Sequence, residues 1–128
     1  MGSKYITELT KADIYGCNRD CLGSVDRVKA LIGEACIALN QKVLKETAYS
    51  SLKPSGVRAE TTTPDSTLIL QTKPNHQYAY LEVYTDNPAQ TEEILCCIAK
   101  KLQAQSIVVR EKERMIEEEE FAWETVLA

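Results

Sequence analysis

The chain has 128 residues, 44% of them hydrophobic and 27% charged, which is enough apolar material for one packed domain and too much for a disordered segment. Its formal net charge of −4 argues against a nucleic-acid partner, which would need a basic face. No apolar run is long enough to span a bilayer, so no membrane partner is expected, and a chain this small would gain from burying a sheet face in a dimer.

Thr7 to Ile14 alternates loosely and ends at Tyr15-Gly16-Cys17, which reads as a first strand and a turn. Ser24 stands where a helix N-cap belongs. Behind it Val25, Val28, Leu31, Ile32, Ala35, Cys36 and Leu39 recur at helical spacing. They predict a helix over Val25 to Asn40, with Arg27, Lys29 and Glu34 turned outward. Val43 to Leu52 is a second strand, and Lys53-Pro54-Ser55-Gly56 carries turn chemistry. Val57 to Thr63 is a third strand, Pro64-Asp65 a tight connection, and Ser66 to Thr72 a fourth strand ending at the Lys73-Pro74-Asn75 turn. In the fifth, Gln77 to Thr85, Tyr78, Tyr80, Glu82 and Tyr84 share one face; Ala79, Leu81 and Val83 share the other. Asn87 is placed to cap a second helix, Pro88 to Gln103, with Pro88 at its first position and Ile94, Leu95, Ile98 and Leu102 as the buried stripe. Ser106 to Glu111 is the last strand.

Strands joined by short turns pair antiparallel, because a parallel crossover needs a dozen or more residues. The order therefore predicts an α+β fold: a two-layer sandwich whose antiparallel sheet is covered on one face by two helices. Residues 1–113 read as a single domain and residues 114–128 as an acidic C-terminal tail. That tail is either a solvated end or a docking segment anchored by Trp123. The five cysteines are odd in number and follow no signal peptide, which points to a reducing, cytoplasmic setting. Cys17 and Cys21 would make half a metal site without a second half, so no metal is expected.

Few residues could carry chemistry. Asp65-Ser66 lies in a tight turn, and Asp86 follows a strand end just before a helix. A hairpin turn accounts for the first and an Asx turn for the second. His76, the sole histidine, falls in a loop, and no glycine-rich phosphate loop is present.

Four stretches nonetheless stand in a familiar order: Asp13-Ile14-Tyr15-Gly16-Cys17, Leu52-Lys53-Pro54-Ser55-Gly56-Val57, Asp65 through His76, and Tyr78 through Thr85. From Tyr5 to Glu113 the chain resembles the small prokaryotic S-adenosylmethionine decarboxylase proenzymes. The second stretch is similar to that family's Phe-Ser-Pro-x-Gly-Val. The third is similar to an acid-Ser-His-Leu segment ending His-Thr-Trp-Pro-Glu, and the fourth to the strand before its Cys-Gly.

The resemblance implies self-processing between Asp65 and Ser66. The serine attacks its own preceding peptide bond, the chain splits, and the serine becomes an N-terminal pyruvoyl group. That carbonyl serves as the electron sink for decarboxylating S-adenosylmethionine in polyamine synthesis. Ser66 aligns with the nucleophile. The processing serine aligns with Arg58, the processing histidine with Gln71, and the proton-donating cysteine with Asp86. The adenine-stacking aromatic aligns with Leu52, and the ribose-binding glutamate with Asn75. A glutamine amide does not titrate near neutral pH, so these replacements predict that the purified chain stays mostly intact.

Three functions follow. One is a diverged pyruvoyl enzyme with Asp86 as proton donor. The second is an uncleaved pseudoenzyme that binds a ligand or regulates a catalytic partner. The third is a different reaction on a sulfonium or amino-acid ligand in the same pocket. The ligand is an S-adenosylmethionine-like small molecule, expected among Leu52, Ser66, Gln71, Asn75 and Asp86. It should bind more weakly than in the family, because Leu52 cannot stack as an aromatic does and Asn75 bonds a hydroxyl less strongly than a carboxylate. The resemblance further implies sheet-to-sheet pairing, as a homodimer or as a heterodimer with a catalytic relative.

Overall fold

The computed structural model describes residues 4–52 and 55–118; for residues 4–6, 51–52 and 115–118 it describes the backbone. Among the described residues, six strands form one antiparallel sheet: β1 (Lys4–Tyr15), β2 (Lys45–Leu52), β3 (Ser55–Thr62), β4 (Ser66–Lys73), β5 (Tyr78–Thr85) and β6 (Ser106–Glu118). Their order across the sheet is β2-β3-β4-β5-β1-β6. The α-helices among the described residues are α1 (Arg19–Leu22), α2 (Val25–Ala38) and α3 (Thr91–Lys101). This is the α+β arrangement expected, with α2 over β2 and β3, α3 over β1, β5 and β6, and the two helices packed on each other.

The two-residue period of the strands sorts side chains between the faces. Leu68, Leu70, Ala79, Leu81, Val83, Ala12 and Ile14 point under the helices and are buried, meeting Val28, Ile32, Ala35, Ile94 and Ile98. The tyrosine face of β5 lies on the other side, which no helix among the described residues covers. There Tyr78 donates to Asp13, Arg110 lies 4.9 Å over the Tyr80 ring, and Tyr84 donates to Glu82 at 2.8 Å. Burial, and then the Glu82 carboxylate, push the Tyr80 hydroxyl up to about 12.

Several boundaries differ from expectation for local reasons. α2 is capped by Ser24, which accepts Arg27 N–H at 3.3 Å, but it ends at Ala38 because Asn40 takes a left-handed φ of 58°. Pro88–Gln90 forms a tight 3-10 turn before α3, and the Asn87 side chain caps nothing. The chain also turns through α1, too short for an apolar period to show. β6 runs to Glu118 along β1, with a register shift at Lys11/Ala12, and so carries the sheet across the expected boundary at residues 113 and 114. Beyond that boundary Arg114 pairs at 3.1 Å with the buried Glu8 carboxylate, so a cut after Glu113 would remove a sheet contact. Trp123 and the rest of 119–128 lie outside the described residues. All five cysteines are free, and burial beside Cys21 pushes the Cys17 thiol up to about 11, where it is inert at neutral pH.

Candidate active site

β4 starts from a constrained turn. Thr63 N–H donates to the Ser66 carbonyl at 2.8 Å, and Thr63 Oγ1 accepts Ser66 N–H at 3.1 Å. Both backbone groups of Ser66 are thereby fixed, and exposed Asp65 is left at the tip of the turn. Ser66 is the first inward-pointing residue of β4 and is buried. Directly across the ladder stands Thr85, the last residue of β5.

The Ser66 hydroxyl donates to Thr85 Oγ1 at 2.8 Å. The Thr85 hydroxyl donates in turn to the Asp65 carbonyl oxygen at 3.3 Å and accepts Asn87 N–H at 3.0 Å. That same carbonyl oxygen accepts Asp86 N–H at 2.9 Å. Two donors therefore converge on the carbonyl of the Asp65–Ser66 peptide bond. Donors so placed stabilise negative charge that develops on an oxygen under attack.

Outside this bond lies an open cleft of about 280 Å³, lined among others by Thr7, Thr62, Thr67, Tyr84, Asp65 and Asp86. Among the described residues, its lining includes two carboxylates and no basic side chain. Asp86 is exposed, and its carboxylate accepts from the Thr7 hydroxyl at 2.8 Å. A cation entering the cleft meets attraction from both acids.

The other expected site residues lie elsewhere. Gln71 and Arg58 face each other across β3 and β4. Arg58 alternates with buried Val57 and Ala59, and Gln71 with buried Leu70 and Thr72, so both lie on the face opposite to the Ser66 side chain. Gln71 is also roughly 17 Å further along the strand at the usual rise per residue. Asn75 is exposed on the 3-10 turn Pro74–His76, beyond the far end of β4. Leu52 closes β2 at that same far end, and its side chain lies outside the described residues. One chain thus brings together Asp65, Ser66 and Asp86 and keeps Arg58, Gln71, Asn75 and Leu52 apart from them.

Thr63, Thr85 and Thr7 were not singled out from the sequence. The available signal was Thr85 itself, a polar residue ending the inward series Ala79, Leu81 and Val83. Among the described residues no group of three or more His, Cys, Asp or Glu stands close enough to hold a metal ion, and no helix is long and apolar enough to cross a membrane.

The S-adenosylmethionine decarboxylase family model matches residues 8–115. An S-adenosylmethionine decarboxylase proenzyme of Thermococcus gammatolerans is 31% identical over 121 residues, covering 94% of this chain and 80% of the relative. One of Carboxydothermus hydrogenoformans is 28% identical over 112 residues, covering 87% of each. In fold, the chain is similar to the crystal structure of the adenosylmethionine decarboxylase from Aquifex aeolicus, with a TM-score of 0.71, 21% identity and coverage of 88% of this chain and 91% of that one. The family match takes in every strand from β2 to β5 and the turn that presents Ser66, and on that ground the chain belongs to the S-adenosylmethionine decarboxylase family.

Proposed function

We propose that the chain is a proenzyme that cleaves itself at Asp65–Ser66 and then decarboxylates S-adenosylmethionine, or a closely similar cationic amino acid, as a step towards polyamines. One observation carries this reading: the carbonyl of that peptide bond already accepts Asp86 N–H at 2.9 Å while the neighbouring serine is buried and oriented. It favours cleavage, against the intact chain that the replacements at Arg58 and Gln71 alone predict. A pyruvoyl group fits position 66, where the turn at Thr63 and the donors at Thr85 and Asp86 already surround the residue that would become it. Such a group supplies a carbonyl that accepts the electron pair left by departing carbon dioxide. The chain's own part is to bring the cationic ligand into the acidic cleft and to hold a proton near the reacting carbon. That second task is assigned to Asp86, the residue that aligns with the family's proton donor.

The division of residues between two ends of the sheet supports a homodimer. β4 spans roughly 25 Å at the usual strand rise, so Leu52 and Asn75 cannot reach a ligand at Ser66 in the same chain. A second copy laid antiparallel across the tyrosine face could bring them, with Arg58 and Gln71, to the cleft outside the Asp65–Ser66 bond, whose lining includes Thr67 and Tyr84 of that face. The five free thiols fit a reducing, cytoplasmic setting.

Release of carbon dioxide from carboxyl-labelled S-adenosylmethionine tests the reading. The wild-type chain should release it and Ser66→Ala should release none. No release from either would leave the second reading, an uncleaved ligand-binding subunit that serves a catalytic relative, which the non-titrating Gln71 favours. Calorimetry would then show S-adenosylmethionine binding weakened by Asp86→Ala.

A further inference from the structure

We infer that Thr85 is a catalytic residue of self-cleavage, passing the Ser66 hydroxyl proton to the carbonyl oxygen of Asp65. The inference rests on the reading of the chain as a proenzyme and names the group that replaces the missing processing residues.

A hydroxyl has one proton and two lone pairs. All three are assigned at Thr85. Its lone pairs accept Ser66 Oγ–H at 2.8 Å and Asn87 N–H at 3.0 Å, and its proton points at the Asp65 carbonyl oxygen at 3.3 Å. The hydroxyl is therefore fixed in the one orientation that links the nucleophile to the oxygen it will charge. Thr85 is 1% exposed, so water does not compete for these bonds, and the low local dielectric strengthens them.

Among the described residues no other side chain bonds both the Ser66 hydroxyl and the Asp65 carbonyl oxygen. Arg58 and Gln71 of the same chain lie on the opposite face of the sheet. Glu8, buried and opposite Thr85 on β1, is engaged by Arg114 at 3.1 Å and Lys112 at 3.8 Å. A concerted relay through a hydroxyl needs no titrating group, because Thr85 gives one proton as it takes another and is unchanged at the end.

Ser66 Oγ bonds to the Asp65 carbonyl carbon. The carbonyl π pair moves to oxygen, which takes the Thr85 proton, while Thr85 Oγ1 takes the proton of Ser66. The result is a neutral five-membered ring bearing a hydroxyl, with Asp86 N–H still bonded to the former carbonyl oxygen. The carbon–nitrogen bond then breaks as the ring hydroxyl proton passes to the Ser66 nitrogen. Asp65 is left esterified to Ser66 Oγ, and Ser66 carries a free amine. Loss of the Cα proton with the Asp65 carboxylate, and hydrolysis by water with release of ammonia, complete the pyruvoyl end.

The test compares freshly purified wild type, Thr85→Val, Thr85→Ser and Ser66→Ala, each with and without hydroxylamine, which splits an ester at Asp65–Ser66 but not an amide. Intact mass gives the rate at that bond. Thr85→Val keeps the shape and loses the donor, so its rate should fall about 100-fold, the usual cost of one such donor. Thr85→Ser keeps the hydroxyl and should restore the rate to near wild type, which loss of packing alone would not do. A Thr85→Val chain that cleaves as fast as wild type overturns the relay and leaves the proenzyme reading standing. A wild type that splits only with hydroxylamine, and loses this in Thr85→Val, upholds the relay and overturns full processing. A wild type inert to both overturns both.

Discussion

Replacing Gly56 by alanine should destabilise the fold by about 3 kcal/mol, at the upper end of overpacking costs, and lower the melting temperature by roughly 10 °C. Gly56 is buried at the start of β3, where the backbone of β4 comes closest. An alanine Cβ would overlap the Thr72 carbonyl oxygen and press on its carbon at 3.0 Å. These are backbone atoms and cannot rotate away. Thr72 is itself a clamp: its buried hydroxyl accepts Val57 N–H at 2.9 Å and donates to the Leu22 carbonyl at 2.8 Å, tying β3, β4 and the end of α1 together. Any shift that relieves the overlap therefore strains two further bonds. Thermal unfolding followed by circular dichroism checks this. A melting temperature equal to wild type would show that β3 and β4 are further apart than the structure places them.

Restoring the two family processing residues together, with Arg58→Ser and Gln71→His, should speed cleavage at Asp65–Ser66 by about 100-fold, the lower range for a positioned general acid or base. The imidazole titrates near neutral pH where the Gln71 amide does not. Its reach to the Asp65–Ser66 bond depends on a second copy bordering the cleft, because within one chain Gln71 lies roughly 17 Å from Ser66 along the strand. The gain should therefore fall on dilution below the dimer dissociation range, and light scattering on the same samples locates that range. Acceleration that persists in a monomer would contradict the two-copy site. An unchanged rate in a confirmed dimer would contradict it equally.

The sheet and its faces were legible because their signals are periodic. Alternation from Tyr78 to Thr85 assigned Ala79, Leu81 and Val83 to the core, and the spacing from Val25 to Leu39 assigned the buried side of α2. α1 was not legible, since four residues hold barely one turn, and neither was the reach of β6 into a segment read as acidic tail. Edge strands with alternating charges look like solvated ends until their partner is known. At the site, Asp65, Ser66 and Asp86 stood out by their turn and strand-end positions, and the resemblance supplied their roles. Thr85 was not, because a threonine ending a strand is ordinary until pairing places it opposite Ser66. The separation of Gln71 from Ser66 was latent in the numbering: an odd offset along one strand places two residues on opposite faces.

The central claim is that the bond between Asp65 and Ser66 breaks by the chain's own chemistry. The intact mass of the purified wild-type protein under denaturing conditions tests it most directly. Two species are expected, residues 1–65 and residues 66–128, the second lighter by one ammonia than a fragment that begins with serine. A single species with the mass of the whole chain, unchanged after hydroxylamine, would contradict it.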